Sequence, residues 1–204
     1  MLSAIAITEL HDELTERWHE DECDADGGSN DEWLSLVARQ HRANFDLWHI
    51  EDESRAPGAT DAELADVKRR IDTTNQRRND LAEQIDRVLL AWLEARGLPN
   101  QTAPLHSESP GLIIDRLSIL ALKIYHTREE TGREDAPAGH AERNQDRLAI
   151  LTEQREDLAN CLDSMWQDTV EGKRRFRLYR QLKMYNDPSL NPAVYRKLVR
   201  EQGP

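Results

Sequence analysis

Apolar residues recur every three or four positions along most of this chain, the spacing of amphipathic helices. Residues 2–18 carry a first, short helix on this pattern. Residues 19–30, "HEDECDADGGSN", have no apolar repeat and hold acids and glycines, which makes them a solvated loop. Ser29 and Glu32 match a capping box and open a second helix, which runs to about Arg55 and stops before Pro57-Gly58. Thr60 and Glu63 form another capping box, and the long helix they open ends at "ARGLP", where Gly97 and Pro99 supply a cap and a stop. After a loop at 98–108, Ser109-Pro110 starts a helix that continues to about residue 130. A loop at 131–139 leads into a fourth long helix over 140–171, with Leu148, Leu151, Leu158, Leu162, Met165 and Trp166 on one side. The basic stretch 173–183 and the turn-rich "NDPSLNP" precede a short C-terminal helix capped at Asn191-Pro192.

The alternation and hairpin turns of strands are missing. The expected fold class is therefore all-α. It is an antiparallel bundle of four long helices with additional short N- and C-terminal helices, in one domain spanning residues 1–204.

The pattern is interrupted where it should be most apolar. Advancing 100° per residue from Trp33 places Val37, Asn44, Trp48, Glu51 and Arg55 with it in a sector of about 60°. His41 and Asp52 sit at its edge. The next helix sets Asn75 and Arg78 between Ile71 and Ile85, and the third aligns Arg116, Ile119, Lys123 and Glu130, flanked by Asp115 and His126. A charge brought into a bundle costs several kcal/mol unless it is paired or bound. Two arrangements meet that need: a salt-bridge network closed on itself, or a pocket open to a ligand. With Arg78, Arg116 and Lys123 inside, the pocket carries a slight excess of cations and suits an anionic small molecule such as a phosphorylated sugar. Asn44, Trp48, Arg55, Asn75, Arg78, Arg116, Lys123 and His126 are its candidate ligand-binding residues. Glu51, with His49 or Asp52, is the candidate acid/base group.

Charge and composition remove other readings. The net charge of −12 disfavours a general nucleic-acid binder, since phosphate affinity comes from Lys and Arg. Only five of the 27 basic residues are lysines, but genome base composition alone can favour arginine. The segment 173–183 interleaves six cations with Phe176, Tyr179 and Leu182. It either forms an RNA or anionic-membrane patch, or lies against the acidic bundle or simply faces solvent, and the overall charge favours the latter pair. Cys23 and Cys161 lack CxxC partners, which suits a reducing, cytoplasmic setting. No run approaches the roughly 20 apolar residues that span a bilayer, so no membrane insertion is expected. Glu16 and His19 have the spacing of a bundle metal motif, but no second inward Glu-x-x-His accompanies it. His126 with Glu129 or Glu130 is a pair common by chance. No metal site or cofactor is assigned. P-loop, dinucleotide and Ser-His-Asp patterns are absent.

Four blocks carry a family resemblance: "NFDLWHIEDESR", "VKRRIDTTNQRRNDLAEQID", "DRLSILALKIYH" and "LKMYNDPSLNP". In this order they cover most of residues 41–195, and the chain resembles the bacterial domain of unknown function 4254 family. The family's N-x-x-L-W-H-x-E-D pattern is met by Asn44, Leu47, Trp48, His49, Glu51 and Asp52, and its "KMYNDPxLNP" block by Lys183 to Pro192. The resemblance implies a helical protein without an established activity, placed near envelope polysaccharide synthesis. Two function classes follow from residues and resemblance together: a protein that binds or processes a sugar phosphate or nucleotide sugar, and a non-enzymatic accessory protein that contacts a protein partner or a second copy of itself.

Overall fold

The computed structural model describes residues 2–20, 31–182, 189–193 and 196. Among them the chain is all-α, with five helices: α1 (Ala4–Glu20), α2 (Glu32–Glu53), α3 (Asp61–Glu94), α4 (Pro110–Thr131) and α5 (His140–Val170). No helix among the described residues is long and apolar enough to cross a membrane.

Local chemistry sets the helix ends. At the start of α3 the expected capping box is present: Thr60 Oγ1 accepts from Glu63 N at 3.3 Å, and Thr60 N donates to Glu63 Oε2 at 2.8 Å. Its far end closes as the glycine predicts, with Gly97 in the left-handed region at φ +73° and Leu98 N returning to Leu93 O at 3.0 Å. At α2 the cap differs from expectation. Asp31 is the N-cap, its Oδ1 accepting from Trp33 N at 2.9 Å, and Ser29 lies outside the described residues. The helix stops at Glu53, two residues early, where the Ser54 hydroxyl donates to Glu51 O at 2.6 Å.

The start of α4 is tied to α3. Ser109 does not cap its own helix; its hydroxyl donates to Asp86 Oδ2 at 2.5 Å, and Gly111 N donates to Asp86 Oδ1 at 2.7 Å. Burial pushes the Asp86 carboxyl up to about 6. Gly111 is required here by space: a Cβ on it would stand 2.2 Å from Ala82 O.

One apolar cluster joins all five helices. It takes Ile7 from α1, Leu36 and Val37 from α2, Ile85, Leu89 and Leu93 from α3, Ile114 and Leu117 from α4, and Leu162 and Met165 from α5. Each such side chain contributes about 1.5–3 kcal/mol through burial. The first helix is thus more than the short addition the sequence suggests. Ile7, Leu14 and Trp18 are fully buried, and α1 is pinned to α5 by Ala4 N donating to Asp163 Oδ1 at 2.9 Å and by Arg155 gripping both Asp12 oxygens at 2.6 and 2.8 Å.

The basic stretch after α5 lies against the bundle. Phe176 is buried in the main core, and the residue before it pairs with the 98–108 loop, His106 N donating to Arg175 O at 2.7 Å and Arg175 N to Pro104 O at 3.1 Å. Gln181 N reaches Glu83 Oε1 at 3.0 Å. Lys173, Arg174, Arg177 and Arg180 face solvent; Lys183 lies outside the described residues. Asn191 Oδ1 accepts from Ala193 N at 2.9 Å, the cap expected there, while most of the expected C-terminal helix lies outside the described residues.

Candidate functional site

Polar side chains from α1, α2, α3 and α4 form one buried chain of hydrogen bonds. Asp115 on α4 is its hub. Arg78 on α3 grips it with two donors, Nε to Oδ1 at 2.7 Å and Nη2 to Oδ2, and Gln40 Nε2 and Asn44 Nδ2 on α2 also donate to Oδ1, at 2.6 and 3.0 Å. The bond to Asp115 holds the Arg78 guanidinium above its ordinary value. Asn44 Nδ2 further donates to Ser118 Oγ at 2.9 Å, which stands 2.7 Å from His41 Nδ1. His41 Nε2 is 3.0 Å from Thr15 Oγ1, whose hydroxyl donates to His11 O at 2.7 Å.

The proton positions along this chain follow from its ends. Thr15 spends its hydrogen on the His11 carbonyl, so His41 Nε2–H donates to Thr15. Nδ1 then accepts from Ser118. His41 is neutral, and burial accordingly pushes its pKa down to about 3. His11 is stacked on His41 at 4.5 Å and is fully buried, with neither ring nitrogen hydrogen-bonded among the described residues. Burial first, then His41 and Arg155, hold it well below the ordinary histidine value.

Beside this network an open cleft of about 310 Å³ is lined by Asn44, Leu47, Trp48, Glu51, Asp52, Arg55, Arg78, Ile119 and Leu122. Six residues that the sequence places in the site meet here. Their setting differs from the expected interior layer. Asp52 and Arg55 are exposed and Glu51 is half-buried, at the end of α2 and in the turn after it, beyond Ile50, the last buried residue of the helix. Arg55 Nη1 pairs with Glu51 Oε2 at 3.1 Å. An excess of cations is absent: Asp115 offsets Arg78 and Glu51 offsets Arg55, leaving Asp52. Arg78 keeps one donor group, since Nη1 has no hydrogen bond among the described residues.

Arg116 and Lys123 do not enter the cleft. Both are exposed, Arg116 pairs with Glu108 at 3.0 Å, and the two line a separate groove between α4 and α5 with Gln154, Asp157, Leu158 and Cys161. Asn75 is half-buried on α3 and does not line the cleft. His49 lines a different groove, with His19 and Phe45, from the cleft that Glu51 lines, so these two do not share a site.

His49 and His126 instead meet a residue that the sequence reading set aside. His19 on α1, His49 on α2 and His126 on α4 converge so that one ligating atom from each lies within 4.8 Å of the others. The ring centroids stand 5.2 Å apart for His19–His49, 5.0 Å for His19–His126 and 6.0 Å for His49–His126. His126 is stacked on Trp48 at 4.9 Å, which joins this cluster to the wall of the cleft. Burial is the main cause holding His19 below the ordinary histidine value.

No curated protein and no solved structure matches this chain. A family match covers residues 34–178 and contains every cleft residue, Asp115, His49 and His126, while His19 precedes it. That match spans well over half of the sequence, and the chain belongs to the family described as protein of unknown function (DUF4254).

Proposed function

We propose that this is a cytoplasmic helical protein that binds a small polyhydroxylated ligand, a sugar phosphate or the sugar end of a nucleotide sugar, in the cleft beside Trp48. The four longer helices are read as an antiparallel bundle into which α1 inserts, in one domain. The observation that carries the binding reading is the cleft itself: an aromatic wall, two carboxylates, and an arginine held rigid by Asp115 with Nη1 to spare. Its volume of about 310 Å³ sits at the small end of ligand pockets and suits one sugar ring.

Trp48 offers an apolar face to a sugar ring. Glu51 and Asp52 accept from hydroxyls, and Arg78 Nη1 donates. An anionic group is accommodated by exchange, because the exposed Arg55–Glu51 pair is worth only about 0–1 kcal/mol and Arg55 can turn to a phosphate at little cost. If a reaction occurs, Glu51 and Asp52 are the groups within reach of the bound molecule. An envelope polysaccharide precursor falls within this ligand class.

The test is a thermal-shift panel of sugar phosphates and nucleotide sugars against the wild type and Arg78→Lys. A saturable rise in melting temperature, reduced in the variant, supports the reading. A flat panel, with the protein co-purifying with another chain, supports the accessory-protein reading.

A further inference from the structure

We propose that His19, His49 and His126 form a three-histidine site for a borderline transition-metal ion of the zinc class. Imidazole nitrogen suits zinc, copper, iron and nickel, and three protein ligands leave a position open for water or a small anion.

The hydrogen bonds of the three rings select the ligating atoms. His19 Nδ1 lies 2.7 Å from Thr15 O, His49 Nδ1 lies 2.9 Å from Phe45 O, and His126 Nδ1 lies 2.8 Å from Glu129 Oε2. Each partner is an acceptor without a hydrogen to give, so each Nδ1 carries the proton. Every Nε2 is thereby left with its lone pair. Metal-bound histidines are held in this way, by a carbonyl or carboxylate on the other nitrogen. Two of the three lone pairs, on His19 Nε2 and His126 Nε2, are buried without a hydrogen-bond partner among the described residues. A buried polar atom left unpaired costs about 1–3 kcal/mol. Packing alone gives no reason for it, since an aromatic hydrocarbon would fill the same space without that penalty.

Aromatic neighbours pack on each of the three rings. Tyr125 stacks on His19 at 4.2 Å, Trp48 on His126 at 4.9 Å, and Phe45 contacts both His19 and His49. A tetrahedral ion needs nitrogens about 3.4 Å apart; one ring nitrogen from each histidine stands within 4.8 Å of the others, so binding draws the three together. Glu129 sets a carboxylate directly against the His126 ring, at 2.8 Å from Nδ1. His19 and His49 also border an open groove of about 480 Å³ with Arg42, Asp46 and Arg70, which gives the ion an entry path.

The experiment uses the full, untagged chain, stripped with a chelator, and titrated with Zn²⁺ by calorimetry and with Co²⁺ by visible absorption. One equivalent bound per chain, with the spectrum of a nitrogen-coordinated cobalt ion, is the expected result. His49→Gln and His126→Gln should weaken binding by more than the roughly 10–100-fold that loss of an outer partner costs, and Glu129→Gln by about that amount. Should the histidine variants fail to fold, imidazole ¹⁵N spectra of the wild type decide: Zn²⁺ must move the Nε2 signals of these three rings. Absence of stoichiometric binding, binding that survives both histidine substitutions in folded protein, or unmoved Nε2 signals would overturn the proposal.

Discussion

Arg78 on α3 holds both carboxylate oxygens of Asp115 on α4, and this pair divides the molecule's polar layer into a closed part and an open part. Inward of it, Asp115 gathers the amides of Gln40 and Asn44, and the bonds continue through Ser118 and His41 to Thr15. Outward of it lies the cleft. Removal of the hub should therefore be severe. Asp115→Ala leaves a largely buried guanidinium and two amides without their acceptor, and should lower stability by about 3–5 kcal/mol in urea denaturation. A loss below 1 kcal/mol would show that the hub is dispensable.

The neutral relay through His41 makes a finer prediction. Ser118→Ala removes the donor to His41 Nδ1 and an acceptor of Asn44 Nδ2. It should destabilise by about 1–3 kcal/mol although only one oxygen is lost. Ser118→Thr keeps the hydroxyl and separates this effect from packing.

Acid should weaken the fold with a defined sign. His11 and His41 are neutral when folded, with lowered values, about 3 for His41. Unfolded, each takes a proton below about pH 6.5. Their contribution is complete above that pH and is lost as pH falls from there toward the folded value, at up to ~1.4 kcal/mol per pH unit each. Asp86 acts oppositely: raised to about 6, its contribution is present below the unfolded value of 3.8 and lost as pH rises through 6. Between pH 6 and 4 it offsets one of the two histidines. Stability from urea melts should fall as pH is lowered through that window, and more steeply in Asp86→Asn if the variant folds.

Gly111 and Gly132 should respond differently to alanine. At Gly111 the new Cβ meets backbone at 2.2 Å, so α3 and α4 must separate, at about 1–3 kcal/mol or more. At Gly132 the nearest atom is 3.7 Å away and φ is −98°, so the change should stay within about 0.5 kcal/mol. Thermal melts of the two variants compare them directly.

The sequence revealed what local chemistry controls. Thr60 with Glu63, and Gly97, act within a few residues of themselves, so their caps could be read directly. The line from Asn44 through Trp48 to Arg55 was also legible, because one helix face needs only a 100° step. Arg116 and Lys123 were misassigned for a physical reason. They do share a face, but α4 packs against α1, α2, α3 and α5, and its solvent strip is the narrow one. A wheel identifies a face without saying which neighbour covers it. The histidine cluster was hidden because its members lie on three helices across more than a hundred residues. The local signs were the Glu16-x-x-His19 spacing and His126 with Glu129, which stands against the ring and orients it.

The binding claim turns on Trp48. The indole N–H signals of the five tryptophans can be followed in ¹H–¹⁵N spectra while glucose 1-phosphate or UDP-glucose is titrated in. A saturable shift of the Trp48 signal, with those of Trp33, Trp92 and Trp166 unmoved, is the expected result. Saturable binding that leaves Trp48 unmoved, or no binding of either probe, would contradict it.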